Sequence, residues 1–243
     1  MNDSERATPS PPNAYSGRWF STFLGRIDAG IVEREVAFLR RQLDGTGTRV
    51  LDLCCGPGRH AAPLSDAGYH VIGLDRDVSA LRDACSLAPA GRFVRGDMRQ
   101  LPLASHSVDA AICMWQSFGH FDAAGNEGVL AELARVLVPN GCLVMDLYHR
   151  DFNVAHQCER VIERDGERVD ESRTMRGDRL RVMLRYESSG EQESFEWQLF
   201  TPGALEAMAA RVGLGRRLAC AEFDEGTEVS AERARMQMVF QRL

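Results

Sequence analysis

The chain has 243 residues, 44% of them hydrophobic and 26% charged, with a formal net charge of −6, which suits one large soluble domain or a core domain with an elaboration. Its apolar runs are strand-sized, short of the ~20 residues that cross a bilayer, and the arginines of the 160–185 region alternate with acids, which argues against nucleic acid as a partner. All 29 basic residues are arginine, and this excludes Schiff-base chemistry, a P-loop lysine and a lysine general base.

In chain order, residues 1–14 read as a disordered leader without the basic-then-apolar order of a signal peptide. Residues 15–48 read as N-terminal helices, "AYSGRWFSTFL" and then "GIVEREVAFLRRQL", where Val32, Val36, Leu39 and Leu43 share one apolar face. From residue 49 to 243 the pattern changes. "RVLDLCC", "HVIGLD", "RFVRGDM", "VDAAICMW" and "CLVMDLY" are apolar strands alternating with helices, among them "RHAAPLSDAG", "SALRDAC" (Asp77 or Ser79 as N-cap) and "EGVLAELARVLVPNG". "TPGALEAMAARVGL" is a further helix with Thr201 as N-cap, and "RRLACAEF" and "RMQMVFQR" close the set. These elements predict an α/β fold: a doubly wound, mainly parallel seven-stranded sheet with helices on both faces.

Between about residues 158 and 200 the period is two, broken by Asp165-Gly166, Gly177-Asp178 and Ser189-Gly190. These are hairpin signals, and they predict an antiparallel β-meander inserted after the fifth strand, covering the sheet's edge or rim. Seven cysteines with no CxxC pair point to reduced thiols in the cytoplasm, and Cys and His never cluster at metal-ligand spacing.

Ligands of a doubly wound sheet sit beyond the carboxyl ends of its strands. Four strands deliver chemistry to that edge: Asp52 with Gly56 and Gly58, then Asp75, then Asp97-Met98, then Met114-Trp115. Glycines let a ligand approach the backbone, and an acid at the end of the second strand can accept both hydroxyl protons of a ribose. "GPGRHA" alone would also suit a dinucleotide, so an NAD(P)-dependent oxidoreductase remains one reading and a silent cofactor-binding scaffold another. Asp52 within the first strand and Asp97 after the third are features that a dinucleotide fingerprint does not require.

Taken together, "VLDLCCGPGRH", "VIGLDRD", "GDMRQLPLASHSVDAAICMWQSFGHF" and "ELARVLVPNGCLVMDLY" resemble the class I S-adenosylmethionine-dependent methyltransferases of small-molecule type, from about Arg49 to Tyr148. The resemblance implies S-adenosylmethionine as cofactor and S-adenosylhomocysteine as product. Asp52 and the turn Cys54, Cys55, Gly56 and Gly58 would hold the methionine part, with Asp75 on the ribose and the adjacent Arg76 among the cofactor-binding residues. Asp97 and Met98 would meet adenine, and Met114 would line the floor. Cys54 stands where the first glycine of the family's loop usually stands. The Asn/Asp-Pro-Pro-aromatic tetrad of nucleobase and glutamine methylation is replaced by "CMWQ".

On this reading the acceptor is a small-molecule metabolite methylated on N or O, and the protein is a monomer or homodimer. His120, in "SFGHFD", is the candidate base, or else a loop histidine bonded to Asp122 or the backbone. Tyr15 and Arg18 are expected to fold over the cofactor, unless their segment is an ordinary packed helix. Trp115, Tyr148 and Trp197 are expected in the acceptor pocket with His120, Trp197 being equally suited to the core of the meander.

Overall fold

The computed structural model describes residues 13, 15–24, 27–164 and 166–243. Most of the expected leader, and Asp165 of the first hairpin signal, lie outside these residues. The core strands are β1 (Arg49–Leu53), β2 (His70–Asp75), β3 (Arg92–Arg95), β4 (Val108–Cys113) and β5 (Leu137–Tyr148). The meander follows as β6 (Cys158–Arg164), β7 (Glu167–Arg176), β8 (Arg179–Tyr186) and β9 (Gln192–Gln198), and β10 (Leu214–Cys220) and β11 (Arg235–Arg242) end the chain. The helices are α1 (Gly17–Trp19, continued by a π-helical turn at Phe20–Leu24), α2 (Ala29–Leu43), α3 (Ala61–Asp66), α4 (Val78–Leu87), α5 (Ala123–Val136), α6 (Arg150–Ala155) and α7 (Pro202–Arg211).

The main sheet has the order β10-β11-β5-β4-β1-β2-β3, parallel except for β11. Its strand order reverses between β1 and β4, so their carboxyl ends open the crevice where such sheets take ligands. Alternation along each strand divides the core in two. Leu51, Leu53, Ala111, Cys113, Leu143 and Met145 pack with Leu130, Leu133 and Leu205 of α5 and α7. Val50, Ala110, Ile112, Cys142 and Val144 pack with Phe38, Leu39 and Leu64 of α2 and α3. By the same parity, Asp52 and Asp146 fall on the α2 side, a placement that matters below.

The caps follow from sequence: Asp77 accepts from the amides of Ser79 and Ala80, and Thr201 caps α7 with Pro202 in its first turn. One boundary differs from expectation. The helix written through "VLVPNG" ends at Val136, because "LVPN" leaves as extended chain and turns at Asn140, whose φ is +63°. Pairing then jumps from Val108↔Leu137 to Ala110↔Cys142, so the Val138–Gly141 turn bulges out of register.

The meander is a separate antiparallel sheet, β6-β7-β8-β9, with its turns at glycines of positive φ. One face buries Val169, Leu180, Val182, Leu184, Phe195 and Trp197 against Tyr15, Trp19, Phe23 and Tyr148. It therefore covers the rim of the crevice with the help of the N-terminal segment. Asn13 extends the free edge of β9: its amide donates to Ser194 O (3.0 Å) and its carboxamide bonds both backbone groups of Glu196. Among the described residues no helix is long and apolar enough to cross a membrane.

Candidate active site

The turn after β1 is held by backbone bonds that leave one face free. Cys55 N donates to Leu74 O (3.1 Å) and Gly58 N to Cys55 O (3.0 Å). Cys54 itself has φ +60° and Gly56 φ +53°, so the cysteine keeps the left-handed backbone that the glycine pattern implied, in a region that costs a non-glycine residue strain. Among the described residues a Cβ on Gly56 would meet only Phe20 of the N-terminal turn, at 3.9 Å, so this glycine faces the crevice. Gly58 does not. A Cβ there would lie 3.0 Å from Ala84 Cβ and 3.2 Å from its Cα, so Gly58 is the point where the turn packs on α4.

Asp75 is fixed at the end of β2, with Oδ2 accepting from Gly56 N and Oδ1 from Asp77 N, both at 2.9 Å. A carboxylate has about four acceptor positions, so two remain for ribose hydroxyls. Asp52 is 1% exposed and its Oδ2 has no hydrogen-bond partner among the described residues. Burial raises its carboxyl to about 7, Arg59 pulling it down and Asp75 pushing it up. A glycine-lined cradle, a pinned acid at the strand end and an unpartnered buried carboxylate fit a ligand with a ribose and a cationic end.

Other expected contacts lie elsewhere. Asp97 is exposed and forms an ion pair with Arg99 (2.6 Å), whose guanidinium reaches over Phe121. Its carboxyl is held low by that arginine. Met98 packs beside it on the core, and Met114 is buried on the α2 side. Arg76 is exposed, and its charge is felt by Tyr15, Asp97 and His120. Arg18 turns to the meander, where it bonds Ser188, Ser189 and Glu191 and lies 4.9 Å over the Tyr186 ring. It therefore pins α1 to the meander instead of reaching the turn.

Facing the Cys54–Gly56 turn is an aromatic box. Tyr15 packs on Trp19 (4.6 Å between ring centroids), Phe195 (4.8 Å), Phe20 (6.2 Å) and His120 (6.5 Å). Trp197 stacks on Phe195 and stands 6.2 Å from His120 and 6.3 Å from Tyr148. His120 does not bond Asp122, which caps α5. Its Nδ1 is buried without a partner among the described residues, and burial, with the charges of Arg76 and Arg179, lowers the imidazole to about 4. Burial also raises the Tyr15 phenol far above its ordinary range.

The loop carrying His120 is clamped by the meander. Gln198 N donates to Gly119 O (2.7 Å), and a Cβ on Gly119 would collide with Gln198 O. Arg179 donates to Phe121 O (2.9 Å).

Trp115 is the clearest departure from expectation. It sits on the α2 side, away from the box, with φ +55°, its indole N–H donating to Glu35. Glu35 also bonds His60 Nε2 (2.8 Å), which makes His60 a support for the turn. The Arg59 and Arg235 guanidiniums lie over the Trp115 ring at 4.0 and 5.5 Å. Asp146, fully buried, accepts from Trp115 N, Arg235 and Gln237. Two sequence signals could have found this cluster: Glu35 on the apolar face of α2, and Asp146 inside "LVMDLY". His149 caps α6, and His70, His106 and His156 are exposed. Among the described residues no group of three His, Cys, Asp or Glu could hold a metal.

Residues 50–141 match the model of a methyltransferase domain. A demethylmenaquinone methyltransferase of Renibacterium salmoninarum is 37% identical over 99 residues, covering 41% of this chain. The chain spans 40% of that relative's length. Among solved structures, the CcbJ methyltransferase of Streptomyces caelestis superposes with a TM-score of 0.76 at 17% identity, over 87% of this chain and 89% of that one. The sugar N-methyltransferase KedS8 of a Streptoalloteichus species gives 0.74 at 21% identity, over 98% of each chain. At such identities the likeness is one of fold, and it agrees with the domain match and with the seven-stranded topology. The chain carries a methyltransferase domain in the fold of the class I S-adenosylmethionine-dependent methyltransferases, whose cofactor is S-adenosylmethionine.

Proposed function

We propose that this protein transfers a methyl group from S-adenosylmethionine to a nitrogen or oxygen of a small-molecule metabolite, releasing S-adenosylhomocysteine. The observation that carries the proposal is the aromatic box around His120, set against the Cys54–Gly56 turn. Asp75 would hold the ribose, and Asp52 with the turn the amino-acid end; Met98 would border the adenine. The cofactor supplies a methyl activated by a sulfonium.

The box excludes water and aligns the acceptor, and alignment supplies much of the acceleration of a displacement. His120 is neutral above about pH 4, so its unpartnered Nδ1 accepts a hydrogen bond or a proton from an acceptor N–H or O–H. Tyr15 keeps its proton across the neutral range and can orient the acceptor, as can the Trp197 indole N–H beside its hydroxyl. The name of the sugar N-methyltransferase relative supports an amine on a compact polar molecule. The acidic balance of the chain favours a small metabolite over nucleic acid.

The test is to incubate the protein with S-adenosylmethionine and panels of amino sugars, other amines and phenols, and to measure S-adenosylhomocysteine. Acceptor-dependent product supports the proposal. Binding of a nicotinamide cofactor in place of S-adenosylmethionine would reinstate the oxidoreductase reading, and binding without turnover the scaffold reading.

A further inference from the structure

We infer that Asn126 is a positioning residue for His120, its carboxamide gripping the neighbouring Phe121 peptide while Gln198 ties that grip to the meander. The inference rests on the reading of His120 as the residue that meets the acceptor, and adds the device that aims it.

Asn126 lies in α5 on the face that buries Val129, Leu130 and Leu133, and it is itself 0% exposed. A polar side chain in an apolar stripe is unfavourable for the helix and for burial unless its amide is hydrogen-bonded. Here three of the four bonding positions of the carboxamide are filled. Oδ1 accepts from Phe121 N (3.1 Å), and Nδ2 donates to Phe121 O (2.9 Å) and to Gln198 Oε1 (2.8 Å). Gln198 passes the tie on, its Nε2 donating to Asp178 Oδ2 (2.7 Å) in the turn between β7 and β8. The start of α5 does not need these bonds, because Asp122 already caps it through Gly125 N (2.8 Å).

Both neighbours of His120 are therefore held. Gln198 N bonds Gly119 O, Asn126 bonds both ends of Phe121, and Arg179 adds a second donor to Phe121 O. A residue between two fixed peptides keeps little freedom beyond its own side-chain torsions, and the ring is packed between Tyr15 and Trp197. The charged groups around it are Arg76 after β2 and Arg179 of β8, the latter paired with Glu196 of β9. Tyr15 faces it as a neutral phenol, and Asp122 of its own loop is turned to the amides of α5. A loop released from this grip lets the imidazole reach water, where its titration returns toward the ordinary histidine range.

Nuclear magnetic resonance titration of the full chain, with isotope-labelled histidine, tests the inference without an acceptor; the signal missing in His120→Ala assigns the ring. In the wild type it should stay neutral down to about pH 5. Asn126→Ala should raise its midpoint by about one pH unit or more, and Gln198→Ala by a smaller step in the same direction. With an acceptor that is turned over, Asn126→Ala should lower kcat roughly tenfold, leave KM within about twofold, and move the acid fall of the rate upward with the midpoint.

An unchanged midpoint in the folded variants overturns the inference, and a lower melting temperature without that shift reduces Asn126 to a support for α5. Should Asn126→Ala fail to fold, Gln198→Ala decides, since Gln198 is half-buried at the end of β9. If the midpoint moves but His120→Ala turns over like wild type, the positioning stands and the reading of His120 as a base falls.

Discussion

On one wall of the candidate site, Asp75 of β2 accepts the amide of Gly56 at the end of β1, across two adjacent parallel strands. On the opposite wall, Tyr15, His120 and Trp197 arrive from the N-terminal segment, the loop after β4 and the meander. The first wall is made of strand ends and backbone, and its geometry is fixed by the sheet. The second exists only when three separate parts of the chain have packed, so it is where an acceptor preference can change without disturbing the cofactor. Substitutions on the first wall should therefore read out as cofactor affinity, and those on the second as turnover.

The sharpest separation should come from His120→Ala. If His120 accepts the acceptor's proton, turnover should fall by roughly 10²–10⁴, with S-adenosylhomocysteine affinity unchanged. Because burial holds the imidazole near 4, the wild-type rate should not begin to fall on the acid side until well below pH 6.5, where a free histidine would titrate. Equal rates for variant and wild type would leave the box as a placement device alone.

Next in size is Gly58→Val. The sequence places this glycine at the ligand, but α4 stands where its side chain would go. At φ +84° the loss should be at least about 1–3 kcal/mol of stability, seen as a lower melting temperature with or without ligand. A variant that melts normally yet cannot bind would return Gly58 to the cofactor wall.

A subtler effect concerns Asp52, whose carboxyl is raised to about 7. A cationic ligand beside it favours the ionised form. Binding at pH 6 should therefore release close to one proton, and affinity should rise from about pH 5 to 7 and then level off. Calorimetry in buffers of different ionisation enthalpy measures the release, which Asp52→Asn should abolish. Smallest of all, Asp97→Ala should change cofactor affinity less than about twofold, since its carboxylate is solvent-exposed and satisfied by Arg99. A tenfold loss would place adenine on Asp97 after all.

What was readable in the sequence follows the same division. Strand ends are local: "VLDLCCGPG" and "VIGLD" carry an apolar run, a turn and an acid within a few residues, so the sheet, its seven strands and the place of Asp75 at the end of β2 could be read directly. Glycine pairs likewise marked the hairpins of the meander. Trp115 could not be placed, because its side depends on two successive left-handed residues, Trp115 and Gln116, that reverse the chain after β4. Arg18 was misplaced for a related reason: its partners lie in the meander, remote in sequence. The buried cluster of Glu35, Arg59, Asp146 and Arg235 is tertiary throughout, and only the charges set within apolar patterns hinted at it.

The central claim is that the β1 turn and Asp75 hold S-adenosylmethionine, and calorimetric titration of wild type and Asp75→Ala with S-adenosylhomocysteine tests it most directly. Losing charged hydrogen bonds to the ribose should cost roughly 1.5–3 kcal/mol each, hence at least a tenfold rise in Kd. Unchanged affinity in an Asp75→Ala variant that is still folded would contradict the account.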